Sequence, residues 1–236
     1  MINQMSRPSQ TRFTRLFVWL GGAVFVGSLI VCAWWFVAVL GRSAPPAGAE
    51  AWIWNVLLFS AFAAHHSLFA RDSVKRWLAA AVPAELIRSV YVWTASLLLI
   101  AVCLLWRPIG GELFEVHGSG AVILAMVQLA GVAGIARAVA AIDPLELAGI
   151  RPLSAATSLQ VGGVYRVVRH PLYLGWLMAT LGAAHMTGDR LAFALITAAY
   201  LFAAVPLEER SLVRSFGDDY TRYQREVRWR IVPFIY

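Results

Sequence analysis

The stretch Gly162-Gly163-Val164-Tyr165-Arg166-Val167-Val168-Arg169-His170-Pro171-Leu172-Tyr173-Leu174-Gly175 puts arginine, histidine, proline and tyrosine at the threshold of an apolar run. Such polar side chains are costly beside lipid unless something binds them. A second polar knot, Glu208-Glu209-Arg210, closes the apolar run that follows. Two apolar segments therefore separate a cationic, aromatic motif from a pair of carboxylates. If those segments form a hairpin, its ends return to one face and the two knots meet. Together they would hold a zwitterionic ligand.

Composition decides the solvent. Of 236 residues, 60% are hydrophobic and 14% are charged, against about 25% charged in soluble domains. The chain reads as an integral membrane protein with an all-α, polytopic helical bundle in a single domain, 1–236. Its apolar runs are 16–40, 51–70, 87–106, 121–142, 172–186 and 191–207. The first exceeds the ~7–15 residues of a signal-peptide core, so it reads as a retained span. The first four runs reach the ~20 residues that cross the hydrocarbon, and they make 1–142 the N-terminal four-helix part. Residues 143–236 then carry a ligand-binding loop, a short helical hairpin turning at Thr187-Gly188-Asp189-Arg190, and a C-terminal helix. About six transmembrane helices are expected.

The net charge of +7 is no nucleic-acid signal, because the arginines flank apolar runs. Counting Arg88, at the start of the third run, with the Lys and Arg outside the runs, sixteen fall on the side of the two termini and three (Arg42, Arg107, Arg190) on the other. Positive charge favours the cytoplasmic side, so both termini are expected there, at the inner membrane if the source is bacterial. In the tail, Val213, Phe216, Tyr220, Tyr223 and Val227 recur at spacings of 3, 4, 3 and 4. That is one face of an amphipathic helix, suited to a membrane surface or to covering a site.

The chemistry sits in the knots. Pro171 fits the first turn of a helix, so His170 stands at a helix mouth where free backbone NH groups favour anions. Arg169 adds a fixed charge suited to a carboxylate. Tyr173 offers a ring face and a hydroxyl one turn inward, and Gly175 permits close approach. Glu208 and Glu209 can accept from an ammonium or a ribose diol. A ligand with a carboxylate, an ammonium, a diol and an aromatic base matches this inventory, and S-adenosylmethionine is such a ligand. Taken alone, each knot also fits a plain reading, as snorkelling arginines or solvated carboxylates. His65 and His66 are adjacent, so on a helix they point about 100° apart and do not chelate one ion; no metal site is expected. Cys32 and Cys103 lie inside apolar runs and read as small buried residues.

The residues Gly163-Val164-Tyr165, Arg169-His170-Pro171-Leu172-Tyr173-Leu174-Gly175-Trp176, Glu208-Glu209, Phe216-Gly217-Asp218-Asp219-Tyr220, Tyr223, Val227 and Pro233 together resemble the isoprenylcysteine carboxyl methyltransferase family. The resemblance covers roughly the last 75 residues. It implies a membrane methyltransferase that binds S-adenosylmethionine without a Rossmann domain, with cofactor contacts at Tyr165, His170, Pro171, Tyr173, Gly175, Glu208 and Glu209. Upstream, His66-Ser67-Leu68-Phe69-Ala70-Arg71, Arg88-Ser89-Val90-Tyr91 and Trp106-Arg107-Pro108-Ile109 resemble the methanethiol S-methyltransferase branch and its NnrU-like relatives. That branch implies S-methylation of a small thiol such as methanethiol, giving dimethyl sulfide.

Arg137, inside the fourth run where a charge is expensive, matches by placement an arginine that the family sets near the methyl acceptor. There it would favour a thiolate; snorkelling is the other reading. His66 is expected to be structural or to face the substrate. The loop Asp143-Pro144-Leu145-Glu146-Leu147-Ala148-Gly149-Ile150-Arg151-Pro152 departs from the branch pattern. The acceptor therefore stays open between a small thiol and an isoprenylcysteine carboxylate or other lipidic group. From other classes, a sterol-reductase-like oxidoreductase and a haem-binding or non-catalytic membrane protein also stay open.

Overall fold

The computed structural model describes residues 12–69, 72–151 and 159–236. In chain order the elements are α1 (Arg12–Ala38), α2 (Ala49–Phe69), α3 (Asp72–Leu78), α4 (Ala84–Leu105), β1 (Glu112–Glu115), α5 (Gly118–Ala141), α6 (Pro144–Leu147), a 3₁₀ turn (Gly163–Arg166), α7 (Pro171–Leu181), β2 (His185–Thr187), α8 (Gly188–Phe216) and α9 (Asp218–Glu226). Helices α1, α4, α5 and α8 are long and apolar enough to cross a membrane. Their outward faces carry Trp19, Leu104 and Leu129, all well exposed. Water would reject such a surface, whereas lipid accepts it.

The hairpin differs from expectation. Instead of running to Met186, the fifth helix stops at Leu181, where Gly182 caps it. The chain then extends, and His185–Thr187 pairs antiparallel with Glu112–Glu115. The fold is therefore predominantly helical with one two-stranded ribbon, not purely all-α. Four-residue β1 lies outside every apolar run, which is why periodicity did not announce it. Thr187 caps α8 by accepting from the Arg190 amide at 3.2 Å. α8 continues through the second knot to Phe216, so the hairpin has one short arm and one long arm. The tail face also spans two helices rather than one, because Gly217, at φ 54°, breaks the chain between α8 and α9.

One end of the bundle is closed by aromatic packing and a buried carboxylate. Trp35, Phe36, Trp106 and Phe193 pack there, with Trp35 edge-on to both Trp106 and Phe193. Asp189, 3% exposed, accepts from Trp106 Nε1 at 2.7 Å and from the amides of Ile109 and Gly110 at 2.8 and 2.9 Å. At mid-bundle, α5 and α7 meet backbone to backbone. A Cβ on either Gly131 or Gly175 would lie 2.6 Å from the other's carbonyl oxygen. This contact sets where α7, and so the His170 motif at its start, stands.

Candidate active site

At the other end, the two polar knots meet. Pro171 occupies the first turn of α7 and His170 its N-cap position. The amides of Arg169 and His170 donate to the carbonyls of Trp229 and Arg230 at 2.9 and 2.8 Å. That pairing ties the C-terminal strand of chain to the motif. From α8, Glu209 projects into the same place. Arg169 Nε donates to Glu209 Oε1 at 2.6 Å, and Arg230 Nε lies 3.3 Å from Oε2. Gln224 donates to Oε2 at 3.3 Å and the Tyr220 hydroxyl approaches Oε1 at 3.5 Å. Arg169 Nη1 also donates to the carbonyls of Val227 and Arg228. A buried charge pair survives only with such compensation, and here it is nearly saturated.

The neighbouring carboxylate is different. The Glu208 side chain is 40% exposed, and its Oε2 lies 3.5 Å from His170 Nδ1. The Tyr173 hydroxyl donates to its Oε1. Tyr173 and His170 stack at 5.3 Å with their planes 10° apart. His170 is 8% exposed, yet its Nε2 makes no hydrogen bond; Glu209 Oε1 stands 3.5 Å away without the geometry. A buried imidazole nitrogen left unpaired is a place where a ligand acceptor or donor gains most.

Tyr165 sits on the 3₁₀ turn. Its hydroxyl reaches the Ala138 carbonyl at 3.4 Å, and its own carbonyl accepts from the Tyr223 hydroxyl at 2.7 Å. Burial holds the Tyr165, Tyr220 and Tyr223 hydroxyls above their ordinary range, so they stay protonated.

Three expected residues, Arg137, Gly175 and His66, lie outside the cluster. Arg137 is exposed on α5 and makes no hydrogen bond or ion pair among the described residues. Gly175 admits the backbone of α5, as described above. His66 belongs to a second polar group: its Nδ1 is 2.7 Å from the Tyr91 hydroxyl, and its ring is edge-on to Tyr200 at 6.3 Å. Arg88 lies over the Tyr91 ring at 5.2 Å. Sequence reading missed Tyr91, Tyr200, Gln224 and Arg230 as members of these groups. Tyr91 lay within a quoted motif, but nothing in its spacing pairs it with a histidine on another helix.

Residues 122–219 match the phospholipid methyltransferase family (PEMT), and with four helices long and apolar enough to cross a membrane the class is an integral membrane methyltransferase. The chain is 35% identical over 227 residues to Methanethiol S-methyltransferase 2 of Bradyrhizobium diazoefficiens, covering 93% of this chain and 85% of that protein. It is 34% identical to Methanethiol S-methyltransferase of Mycobacterium tuberculosis, covering 86% and 85%. Protein-S-isoprenylcysteine O-methyltransferase of Schizosaccharomyces pombe matches at 35% over 72 residues, 29% of this chain and 30% of that protein. No solved structure matches. The chain belongs to the methanethiol S-methyltransferase family, and this membership sets aside the reductase alternative.

Proposed function

We propose that the protein transfers a methyl group from S-adenosylmethionine to a small thiol, with methanethiol giving dimethyl sulfide. The observation that carries this reading is the likeness along 93% of the chain to a relative of that name. The site fits the donor. Glu208 is open to solvent and suits an ammonium or diol, the buried His170 Nε2 makes no hydrogen bond, and Tyr173 presents a ring. Tyr165 and Pro171 complete the contacts that the resemblance implies, while Gly175 serves the packing of α7 on α5. Arg169 and Glu209 act chiefly by fixing His170 and the C-terminal strand. When bound, S-adenosylmethionine supplies a methyl group on a sulfonium, whose positive charge is lost in the transfer.

The protein's own task is to position and to dry the site. In-line approach at about 3–3.5 Å accounts for most of the acceleration. The thiol would shed its proton to solvent, since a free thiol has a pKa near 8.5, and its sulfur would take the methyl as the methyl–sulfonium bond breaks and a neutral thioether leaves. Arg137, a cation without an internal partner among the described residues, is assigned to favour that thiolate; His66, held at Nδ1 by Tyr91, is assigned to the acceptor side.

For the membrane, we infer six passes with both termini cytoplasmic, supported by the charge asymmetry. α2 adds one. α7, at 11 residues, rises about 16 Å, and residues 182–187, ending in β2, carry the chain the rest of the way. α9 then lies as an amphipathic cytoplasmic helix, its buried Tyr220 and Tyr223 turned to the site.

The test is headspace analysis after purified protein in detergent is given S-adenosylmethionine and methanethiol. Dimethyl sulfide above the no-enzyme rate is expected; none from protein that binds the donor would contradict the reading. A lipidic acceptor is the second reading, favoured by the isoprenylcysteine relatives. Methylation of a prenylated cysteine in place of methanethiol would establish it.

A further inference from the structure

Residues 231–236 fold back beside the helices of the bundle. Ile231 is fully buried and packs with Leu177 of α7 and Val205 of α8. The Tyr236 ring meets that of Phe202 on α8 at 5.2 Å. Phe202 precedes Glu208 by six residues, so this contact lies about 9 Å inward along the helix from the polar knot. A segment that is neither helix nor strand therefore runs alongside two apolar helices.

Backbone of that kind is tolerated at membrane depth only where the protein satisfies its polar groups. Here the turn closes on itself. The Tyr236 carbonyl accepts from the amides of Arg230, Ile231 and Val232 at 2.8, 2.9 and 3.1 Å. The Val232 carbonyl accepts from those of Ile235 and Tyr236 at 3.2 and 3.0 Å. Pro233 has no amide to satisfy. The closed turn presents Phe234 and Ile235, 85% and 80% exposed. Phe234 holds φ 67°, which is uncommon for a bulky residue and is the kind of strain found at functional positions. Water would reject two such neighbouring side chains, whereas hydrocarbon accepts them.

The surroundings of the tip agree. The Trp229 ring lies 5.5 Å from that of Phe234, and tryptophan is enriched where membrane meets water. Arg225 and Arg228, both exposed, precede the tip, and arginines there suit anionic headgroups. The same stretch supplies the Trp229 and Arg230 carbonyls that hold the amides of Arg169 and His170.

We propose that residues 231–236 form a re-entrant anchor in the leaflet on the side of the two polar knots. Phe234 and Ile235 lie among acyl chains, and Arg225 and Arg228 meet anionic phospholipid headgroups. The anchor steadies the stretch that positions His170. Insertion does not depend on the methyl acceptor; only the link to donor affinity rests on the methyltransferase reading.

The test places a nitroxide label at Phe234→Cys, and separately at Ile235→Cys, in full-length protein. Cys32→Ala and Cys103→Ala leave no other thiol. The protein is held in nanodiscs of phosphatidylcholine and phosphatidylglycerol, and electron paramagnetic resonance measures access of oxygen and of a water-soluble nickel chelate to the label. Labels at Leu129→Cys on the outward face of α5 and at Arg222→Cys on α9 give the lipid and water references. Both are made in the same background, so their difference also reports that it is folded. The two tip labels should follow the lipid reference, open to oxygen and shielded from nickel. Nickel access like that at Arg222 overturns the proposal. Shielding from both reagents with spin–spin broadening would show a contact between two copies, and overturns it too. In the same nanodiscs, the double variant Phe234→Ser, Ile235→Ser should bind S-adenosylhomocysteine about fivefold or more weakly than wild type. Equal affinity would break the link to the donor site. A wild type that binds none would sink the methyltransferase reading and leave the label result standing.

Discussion

Helix α8 carries a buried carboxylate at each end of the bundle, and the two have different work. Asp189 accepts from one indole and two backbone amides, is 3% exposed, and has no open neighbour. Glu209 is equally buried, but its partners are two arginines, a glutamine and a tyrosine, and Glu208 beside it faces outward. Backbone amides cannot leave, so Asp189 is a rivet. Side-chain cations can be shared with a ligand, so we propose Glu209 as the floor of the donor site. Burial alone does not tell a structural acid from a functional one; what satisfies the acid does.

Asp189→Ala should have the largest effect. It strands three donors, and hydrogen bonds to charged groups are worth ~1.5–3 kcal/mol each, so the thermal midpoint should fall most among these variants. S-adenosylhomocysteine affinity of the protein that remains folded should hold. Next, Glu209→Gln removes the charge that Arg169 and Arg230 share. Disturbing a buried charge pair costs about 2–5 kcal/mol, so affinity should drop roughly tenfold or more together with the thermal midpoint. Wild-type affinity there would make Glu209 a second rivet. Arg137→Ala should bind the donor analogue as wild type and turn over more slowly; unchanged turnover would return Arg137 to a snorkelling role.

The smallest effect is a pH dependence. Burial raises Tyr220 and Tyr223 in the folded protein above the ordinary value of about 10. Their contribution is full below pH 10 and is lost as pH rises through the folded values. Phenolate absorbance should therefore appear late and together with loss of the α9 contacts. Two tyrosines that titrate freely near pH 10 would show that α9 does not cover the site.

Much of this was legible in the chain. Apolar run lengths located α1, α2, α4 and α5 to within about four residues but stopped nine short of the end of α8 at Phe216, and the charge count put both knots on one side, where His170 and Glu208 in fact meet. The sequence could not show what each glycine admits. Gly175 suggested the approach of a ligand, while the structure brings Gly131 of α5 against it. Nor could it show β2, because pairing with Glu112–Glu115 is a long-range event that leaves no period in three residues. The division of labour between Glu208 and Glu209 was likewise hidden. Adjacent residues on a helix point about 100° apart, but only packing decides which one faces inward.

We propose that Glu208, with His170 and Tyr173, forms the open face of the donor site. The most direct test is calorimetric titration of S-adenosylhomocysteine into wild-type and Glu208→Gln protein at matched thermal midpoint. Binding by the wild type, weakened roughly tenfold or more in the variant, is the predicted result. Equal affinity in the two proteins, or no binding by the wild type, would contradict the account.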